Sequence, residues 1–143
     1  MLNLSEEAAG ALAGRLRTEG VIWITTVTPG GQPQSSPVWF LWEEDEFLVY
    51  AQPRSWKVRN IGVNPQVALH LNSDTAGGQV VTFEGSARVA EGHPLAHEVV
   101  AYLAKYRAGI AVREILSSDL YASCGLLVAD QPSAEWMICS RGP

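Results

Sequence analysis

The chain has 143 residues, of which 47% are hydrophobic and 17% are charged, and its formal net charge is −5. This length and composition predict one globular domain over residues 1–143, because two domains would each have too little core. An acidic chain lacks the basic surface that general binding to nucleic acid or an anionic membrane requires, so neither is an expected partner. No apolar run approaches the roughly 20 residues that cross a bilayer, and no secretory signal opens the sequence, which predicts a cytoplasmic location.

The first half of the chain predicts a helix followed by strands. Acidic residues after Ser5 and basic residues near position 17 predict a helix over residues 5–18 that ends before Gly20. β-Branched and aromatic residues separated by turn residues then predict three neighbouring strands, a β-meander. These strands cover residues 21–28, 34–42 and 47–51, with turns at 29–31 and 43–46.

The second half predicts a short helix over residues 55–62, more strands and a further helix. Residues spaced by two share the buried face of each of two strands, and Gly85 is expected to interrupt the second. The two faces hold Val67, Leu69 and Leu71, and Val81, Phe83, Ala87 and Val89. An amphipathic helix is predicted from Pro94 to about Arg107, region 108–121 is ambiguous between helix and loop, and two final strands cover 124–129 and 134–139.

The strand pattern predicts a mostly β (α+β) fold of six to eight antiparallel strands with a few helices. Short turns between strands favour a closed or half-closed antiparallel barrel over a parallel α/β sheet. A β-sandwich is the alternative that the pattern alone leaves open.

The candidate binding site is a basic cluster on this acidic chain. Three of the ten Lys and Arg residues lie between Arg54 and Arg59. Ser5 precedes two glutamates that suit a helix N-terminus, whereas Ser55 precedes Lys57 and Arg59, which do not. A phosphate would compensate, because helix N–H groups, a hydroxyl, an ammonium and a guanidinium all donate to its oxygens, and the Asn60 amide would add a donor. Charge counting alone favours a solvated surface that pairs with carboxylates.

The order of these motifs resembles the split-barrel flavin-binding proteins related to pyridoxamine phosphate oxidase. The resemblance is firm over residues 20–90 and loose elsewhere, and its motifs occur in the family's order. They are the strand Trp23 to Gly31, Ser36-Pro37-Val38-Trp39-Phe40, the strand Phe47 to Ala51, Ser55-Trp56-Lys57-Val58-Arg59-Asn60, and Asn64-Pro65.

The resemblance implies a split β-barrel and a homodimer with two cofactor sites, each built from both chains. It implies that the cofactor ring lies against Ser36 and the backbone of Pro37, Val38 and Trp39. The phosphate would lie at Arg54, Ser55, Lys57, Arg59 and Asn60. Trp136 and Tyr106 are candidates to reach across from the partner subunit, and the alternative for both is plain packing.

The resemblance is nearer to members that use the deazaflavin coenzyme F-420 than to oxidases that use FMN. The ending from Trp136 to Arg141 lacks the substrate signature of pyridoxamine phosphate oxidase. The implied reaction is hydride transfer between the deazaflavin and a small conjugated or carbonyl-bearing acceptor, and no catalytic side chain is assigned. An FMN-binding oxidoreductase and a non-catalytic cofactor- or tetrapyrrole-binding protein are the alternatives.

Other motifs carry less weight. His93 and His97 have the spacing of zinc ligands on a helix, but no glutamate follows the first histidine, so no metal site is expected. His70 is expected to be an ordinary polar or interface residue. The two cysteines form no C-x-x-C pair and are expected to be packing residues.

Overall fold

A computed structural model describes residues 6–43, 45–52, 54–90, 98–112, 125–130 and 137–139. Three helices and eight strands lie within these ranges, which confirms the mostly β composition predicted from the sequence. In chain order they are α1 (Glu6–Thr18), β1 (Ile22–Val27), β2 (Pro33–Val38), β3 (Leu41–Glu43), β4 (Glu46–Ala51), α2 (Trp56–Val63), β5 (Gln66–His70), β6 (Val80–Ala90), α3 (Val100–Val112), β7 (Gly125–Asp130) and β8 (Met137–Cys139).

The strands form one sheet in the order β2-β1-β5-β6-β7-β4-β3, and β8 also pairs with β6. Every strand pair in the described part of the chain is antiparallel. The long strand β6 joins the two halves, because Thr82 to Ser86 pair with β5 and Ser86 to Ala90 pair with β7. The antiparallel prediction is therefore confirmed, and the parallel α/β alternative is excluded.

The predicted three-strand meander is wrong. Residues 34–42 belong to two strands: β2 pairs with β1, whereas β3 pairs with β4 at the opposite end of the strand order. The chain changes sides at Trp39 and Phe40, where Phe40 is fully buried. Side chains of α3 bind the backbone N–H and C=O of Phe40 and replace the sheet partners of a continuous strand.

The β1–β2 hairpin has one inner face, on which polar and apolar residues both lie. Ile22, Ile24 and Thr26 alternate along β1 and are 0%, 1% and 0% exposed. The residues directly across from them on β2 are Val38, Ser36 and Gln34. Because directly opposed residues of an antiparallel pair share a face, Thr26, Gln34 and Ser36 place polar groups together at this edge of the core.

Aromatic rings fill the centre of the core. Phe47 is fully buried, and its ring centroid lies 4.5 Å from that of Trp42, 4.8 Å from that of Phe83 and 5.9 Å from that of Phe40. These tilted and edge-on arrangements suit the quadrupoles of the rings. Leu12 and Leu16 add the buried side of α1 to the same cluster.

Three further expectations differ from the structure. β6 continues through Gly85, which pairs with Val67, so the glycine does not interrupt the strand. Val89 is 45% exposed rather than buried. Its neighbour Arg88, on the opposite face of β6, is exposed as well, so the part of β6 that pairs with β7 has no buried face at these two positions. The helix α3 extends past the expected end at Arg107 to Val112, whereas its expected start near Pro94 lies outside the described residues.

The aromatic cluster yields a first prediction. Phe47→Ala should lower the free energy of unfolding by about 3–5 kcal/mol, because the lost ring leaves a cavity among three aromatic neighbours. Chemical denaturation measures the change. Val100→Ala, at a position 81% exposed, is the control and should change stability by less than about 0.5 kcal/mol. Similar costs for the two variants would contradict this description of the core.

Candidate cofactor-binding site

The N-terminus of α2 has an unfilled set of hydrogen-bond donors. Ser55 occupies the N-cap with φ −66° and ψ 152°, but its side chain makes no capping hydrogen bond. The Ser55 Oγ atom is buried and has no partner among the described residues. The first turn of the helix contains no acidic side chain. A buried hydroxyl without a partner is costly, so this helix end is suited to an anionic ligand that accepts from it.

The basic residues of α2 and its approach are not neutralised within the protein. Arg54, Lys57 and Arg59 form no ion pair with any carboxylate that the structure describes. Arg54 and Arg59 are exposed, whereas Lys57 is half-buried and its Nζ lies 5.1 Å from the centroid of the Trp56 ring. Burial lowers the pKa of Lys57 from its ordinary value of 10.5. A bound anion would oppose that shift by favouring the charged ammonium.

Asn60 connects this helix to both strands of the first hairpin. Its side chain is 5% exposed, and its Nδ2 donates to Thr26 Oγ1 at 3.0 Å and to Gln34 Oε1 at 2.9 Å. Both amide protons are thereby used inside the protein. The anion contact predicted for Asn60 would require one of these bonds to break, whereas the observed bonds fix α2 beside β2.

β2 places the other predicted contacts at the edge of the sheet. It is the end strand, with its inner face half-buried and its outer face exposed. The buried Ser36 Oγ on the inner face has no hydrogen-bond partner among the described residues. Because proline cannot donate to a strand ladder, the backbone of Pro33 and Pro37 faces away from β1, toward the open edge. The strand therefore offers a ligand the unpartnered Ser36 hydroxyl and the outward-facing carbonyl of Pro37, whereas the Pro33 carbonyl already accepts from Gln32 Nε2 at 3.3 Å.

Trp39 and Tyr106 pack against each other inside one chain. Their rings stack with centroids 4.4 Å apart and planes 5° apart. Tyr106 is 5% exposed, and its hydroxyl bonds the backbone of Phe40 and Gly20. The hypothesis that Tyr106 reaches into a partner's site is therefore wrong, and the packing alternative describes it. Trp136 lies outside the described residues.

Three residues near the site were missed in the sequence. Thr26 and Gln34 hold Asn60, and Lys105 binds the Phe40 carbonyl from α3. A signal exists for Thr26, since it is the polar member of the alternating series Ile22, Ile24, Thr26. No local pattern identifies Lys105, because its partner lies 65 residues away in the sequence.

The described residues include His70 but not the other two histidines, and they allow a search for metal-binding clusters and membrane-spanning helices. His70 stacks on Trp23, with centroids 6.0 Å apart, and its Nδ1 lies 3.1 Å from the Leu71 carbonyl oxygen, which suits a polar packing residue. Across the described ranges no cluster of three His, Cys, Asp or Glu residues is arranged to hold a metal. His93 and His97 lie outside these ranges. No helix in the described part of the chain is long and apolar enough to span a membrane.

Comparison with protein families matches residues 8–121 to the family described as pyridoxamine 5'-phosphate oxidase. This match covers most of the chain, and the chain belongs to that family. The fold is the split barrel of its relatives, which decides against the sandwich alternative. No curated protein matches the sequence.

Solved structures show the same fold at low sequence identity. A conserved hypothetical protein from Mycobacterium tuberculosis superposes with a TM-score of 0.70 at 20% identity, covering 94% of this chain and 85% of the other. An F420 reductase gives a TM-score of 0.67 at 20% identity, with coverages of 85% and 94%. HutZ, the heme storage protein from Vibrio cholerae, gives 0.62 at 18% identity, with coverages of 90% and 92%.

The Asn60 bridge yields a second prediction. Asn60→Ala should lower the free energy of unfolding by about 1–3 kcal/mol, because it leaves the buried Thr26 hydroxyl and Gln34 amide without their donor. Chemical denaturation measures the loss. Gln52→Ala, a truncation of an exposed amide just before α2, is the matched control and should have little effect. If the two variants were equally stable, the bridge would not hold α2.

Proposed function

We propose that this protein is an oxidoreductase that binds coenzyme F-420 at the junction of β2 and α2. The observation that carries the proposal is two buried, unpartnered hydroxyls, Ser55 at the start of α2 and Ser36 on β2, together with basic residues on and before α2 that have no described ion pair. Such a donor set fits a cofactor with a phosphate at one end and a polar ring system at the other. Membership of the family and the fold shared with an F420 reductase support the same reading.

Each group in the proposed site has a defined task. Ser55 Oγ, the free N–H groups of the first turn of α2, Lys57 and the exposed Arg59 would hold the phosphate. Arg54, which is exposed just before the helix, would add long-range attraction. Ser36 and the backbone of Pro37, Val38 and Trp39 would orient the ring system against the sheet edge.

The proposed reaction is hydride transfer to or from a small conjugated or carbonyl-bearing acceptor. The deazaflavin supplies the hydride chemistry when it is bound. The chain would contribute orientation and electrostatic field, and no described side chain is assigned as a catalytic acid or base. The accompanying proton would come from water or from a polar group of the pocket.

We propose in addition that the protein is a homodimer with two such sites. β2 is an end strand of the sheet, and its outer face holds the exposed Pro33, Ser35 and Pro37 beside the half-buried Trp23. A second copy that covers this edge would exclude water from the ring-binding region. Sedimentation equilibrium should give twice the mass of one chain, and a monomer at all concentrations would contradict the dimer.

FMN is the alternative cofactor, because the phosphate-binding groups suit both molecules. A yellow protein that retains FMN on purification would favour the FMN-dependent enzyme. A tetrapyrrole-binding protein is the non-catalytic alternative, and the fold it requires is shared with HutZ. Steady-state turnover of reduced F-420 with a panel of acceptors separates an enzyme from a binding protein.

The phosphate site yields a third prediction. Lys57→Ala should weaken the binding of F-420 and of FMN by about 1–3 kcal/mol, through the loss of a charge-assisted contact. Fluorescence titration measures both affinities. Arg17→Ala is the matched control, because it removes an exposed positive charge from the last turn of α1. Unchanged affinity in Lys57→Ala, or an equal loss in Arg17→Ala, would refute the assignment of Lys57.

A further inference from the structure

The segment that follows the proposed ring-binding strand is bound by two neighbouring side chains of α3, and Tyr106 is the first of them. The hydroxyl of Tyr106 accepts a hydrogen bond from the Phe40 N–H at 2.7 Å. The same hydroxyl lies 2.8 Å from the Gly20 carbonyl oxygen and 2.9 Å from that of Phe40, so its one proton is shared between them. Phe40 is fully buried, and its N–H would be orphaned without this oxygen.

Lys105 binds the same peptide segment from the preceding position of α3. Its Nζ donates to the Phe40 carbonyl oxygen at 2.9 Å and to that of Leu16 at 3.4 Å. The ammonium also lies 3.6 Å from the centroid of the Phe40 ring, in a cation–π contact. Two adjacent side chains of one helix therefore meet the backbone of Phe40 from both its N–H and C=O sides.

We propose that Lys105 and Tyr106 are positioning residues that act through Phe40 and Trp39 to hold Ser36–Trp39 in the conformation that binds the cofactor. This inference rests on the function proposed above and adds how its site is kept in shape. Neither residue is assigned a contact with the cofactor.

The connection from α3 to the site is direct along the chain. The Trp39 ring stacks on the Tyr106 ring, and Val38, the preceding residue, is the last residue of β2. β2 has only β1 as a described strand neighbour, so its free edge gains no rigidity from a second strand. The anchor at Phe40 fixes one end of β2, and the Asn60–Gln34 bond fixes the other.

The charge on Lys105 makes the anchor sensitive to pH. Burial is the main cause that lowers the Lys105 pKa from 10.5 to about 8, and the nearby carboxylate of Glu19 opposes the shift. Glu19 is itself paired with Arg15 on α1, and Tyr106 is the neighbouring titratable group on α3, with its pKa raised to about 12. Above about pH 8 the lysine becomes neutral and loses its charge-assisted bond to Phe40.

Stability and affinity should then change in opposite directions as the pH rises. Because the folded pKa of Lys105 lies below the unfolded value, the unfolded chain binds more protons between about pH 8 and 10.5. Titration of Lys105 therefore raises the free energy of unfolding through this window, while release of the Phe40 carbonyl weakens cofactor binding. If Lys105 had only a structural role, the cofactor affinity and the free energy of unfolding would change in the same direction as the pH rises.

The first test uses the protein without cofactor. In ¹⁵N-labelled protein, the amide proton of Phe40 should move upfield in Tyr106→Phe, because its acceptor is lost. It should titrate near pH 8 in the wild type but not in Lys105→Arg, which stays charged. Tyr102→Phe is the matched control, since this equally buried tyrosine lies one turn earlier on α3 with its ring against Tyr50. It should leave the Phe40 amide unchanged.

The second test measures binding of F-420 and FMN by fluorescence from pH 6.5 to 9.5, a window about 1.5 units either side of the Lys105 midpoint. Tyr106→Phe should bind about tenfold more weakly than the wild type and than Tyr102→Phe. Wild-type affinity should fall as Lys105 loses its proton, while Lys105→Arg should lose less over the same range. Lys105→Met, which keeps the apolar stem, should bind weakly at every pH.

The outcomes separate this inference from the proposed function. If the wild type bound a cofactor, and Tyr106→Phe and Lys105→Met bound it equally well, the positioning role would be overturned while the function stood. If the wild type bound neither F-420 nor FMN at any pH, both proposals would fail. A response of the Phe40 amide to the variants would then show only that Lys105 and Tyr106 stabilise the fold at Phe40.

Discussion

The side-chain amide of Asn60 donates to two strands at once, and the geometry of the candidate site depends on that pair of bonds. α2 has only 8 residues, and a helix of this length is not stable alone in water. Packing must therefore hold it. The buried hydrogen bonds from Asn60 to Thr26 and Gln34 also fix the orientation of the helix relative to the first hairpin. The bridge fixes the middle of α2 to Thr26 on β1 and to Gln34 on the inner face of β2.

The two helix starts show why this position suits an anion. α1 begins with Glu6 and Glu7, whose charges complement the positive end of the helix dipole. α2 begins with a serine whose hydroxyl has no described partner and continues to a half-buried lysine. The helix dipole of α1 is compensated by its own glutamates. No acidic side chain compensates the dipole of α2, so a bound anion would be stabilised there.

The local elements were predictable because their signals are local. The β1–β2 hairpin, the short helix near residues 55–62 and the buried faces of β5 and β6 follow from turn residues, caps and periodicity. The basic cluster was also visible, because charge at a helix start needs only the neighbouring sequence to be recognised.

The errors arise where distant residues decide the structure. The strand over residues 34–42 divides at Phe40 because Tyr106 and Lys105, about 65 positions later, bind its peptide groups. The partners that the Asn60 amide has in this structure, Thr26 and Gln34, were equally out of reach of local sequence reasoning, because they lie 34 and 26 positions away. Hydrogen-bonding capacity can be read from a sequence, but the partner that uses it depends on the fold.

The central claim is that a phosphate-bearing cofactor binds at the start of α2, beside the edge strand β2. A crystal structure of the full chain grown with F-420 tests it most directly. We expect the phosphate within hydrogen-bond distance of Ser55 Oγ and Lys57 Nζ, with the ring system against Ser36–Trp39 and the Asn60 bridge intact. A cofactor bound elsewhere, with the hydroxyls of Ser55 and Ser36 still without partners, would contradict the claim.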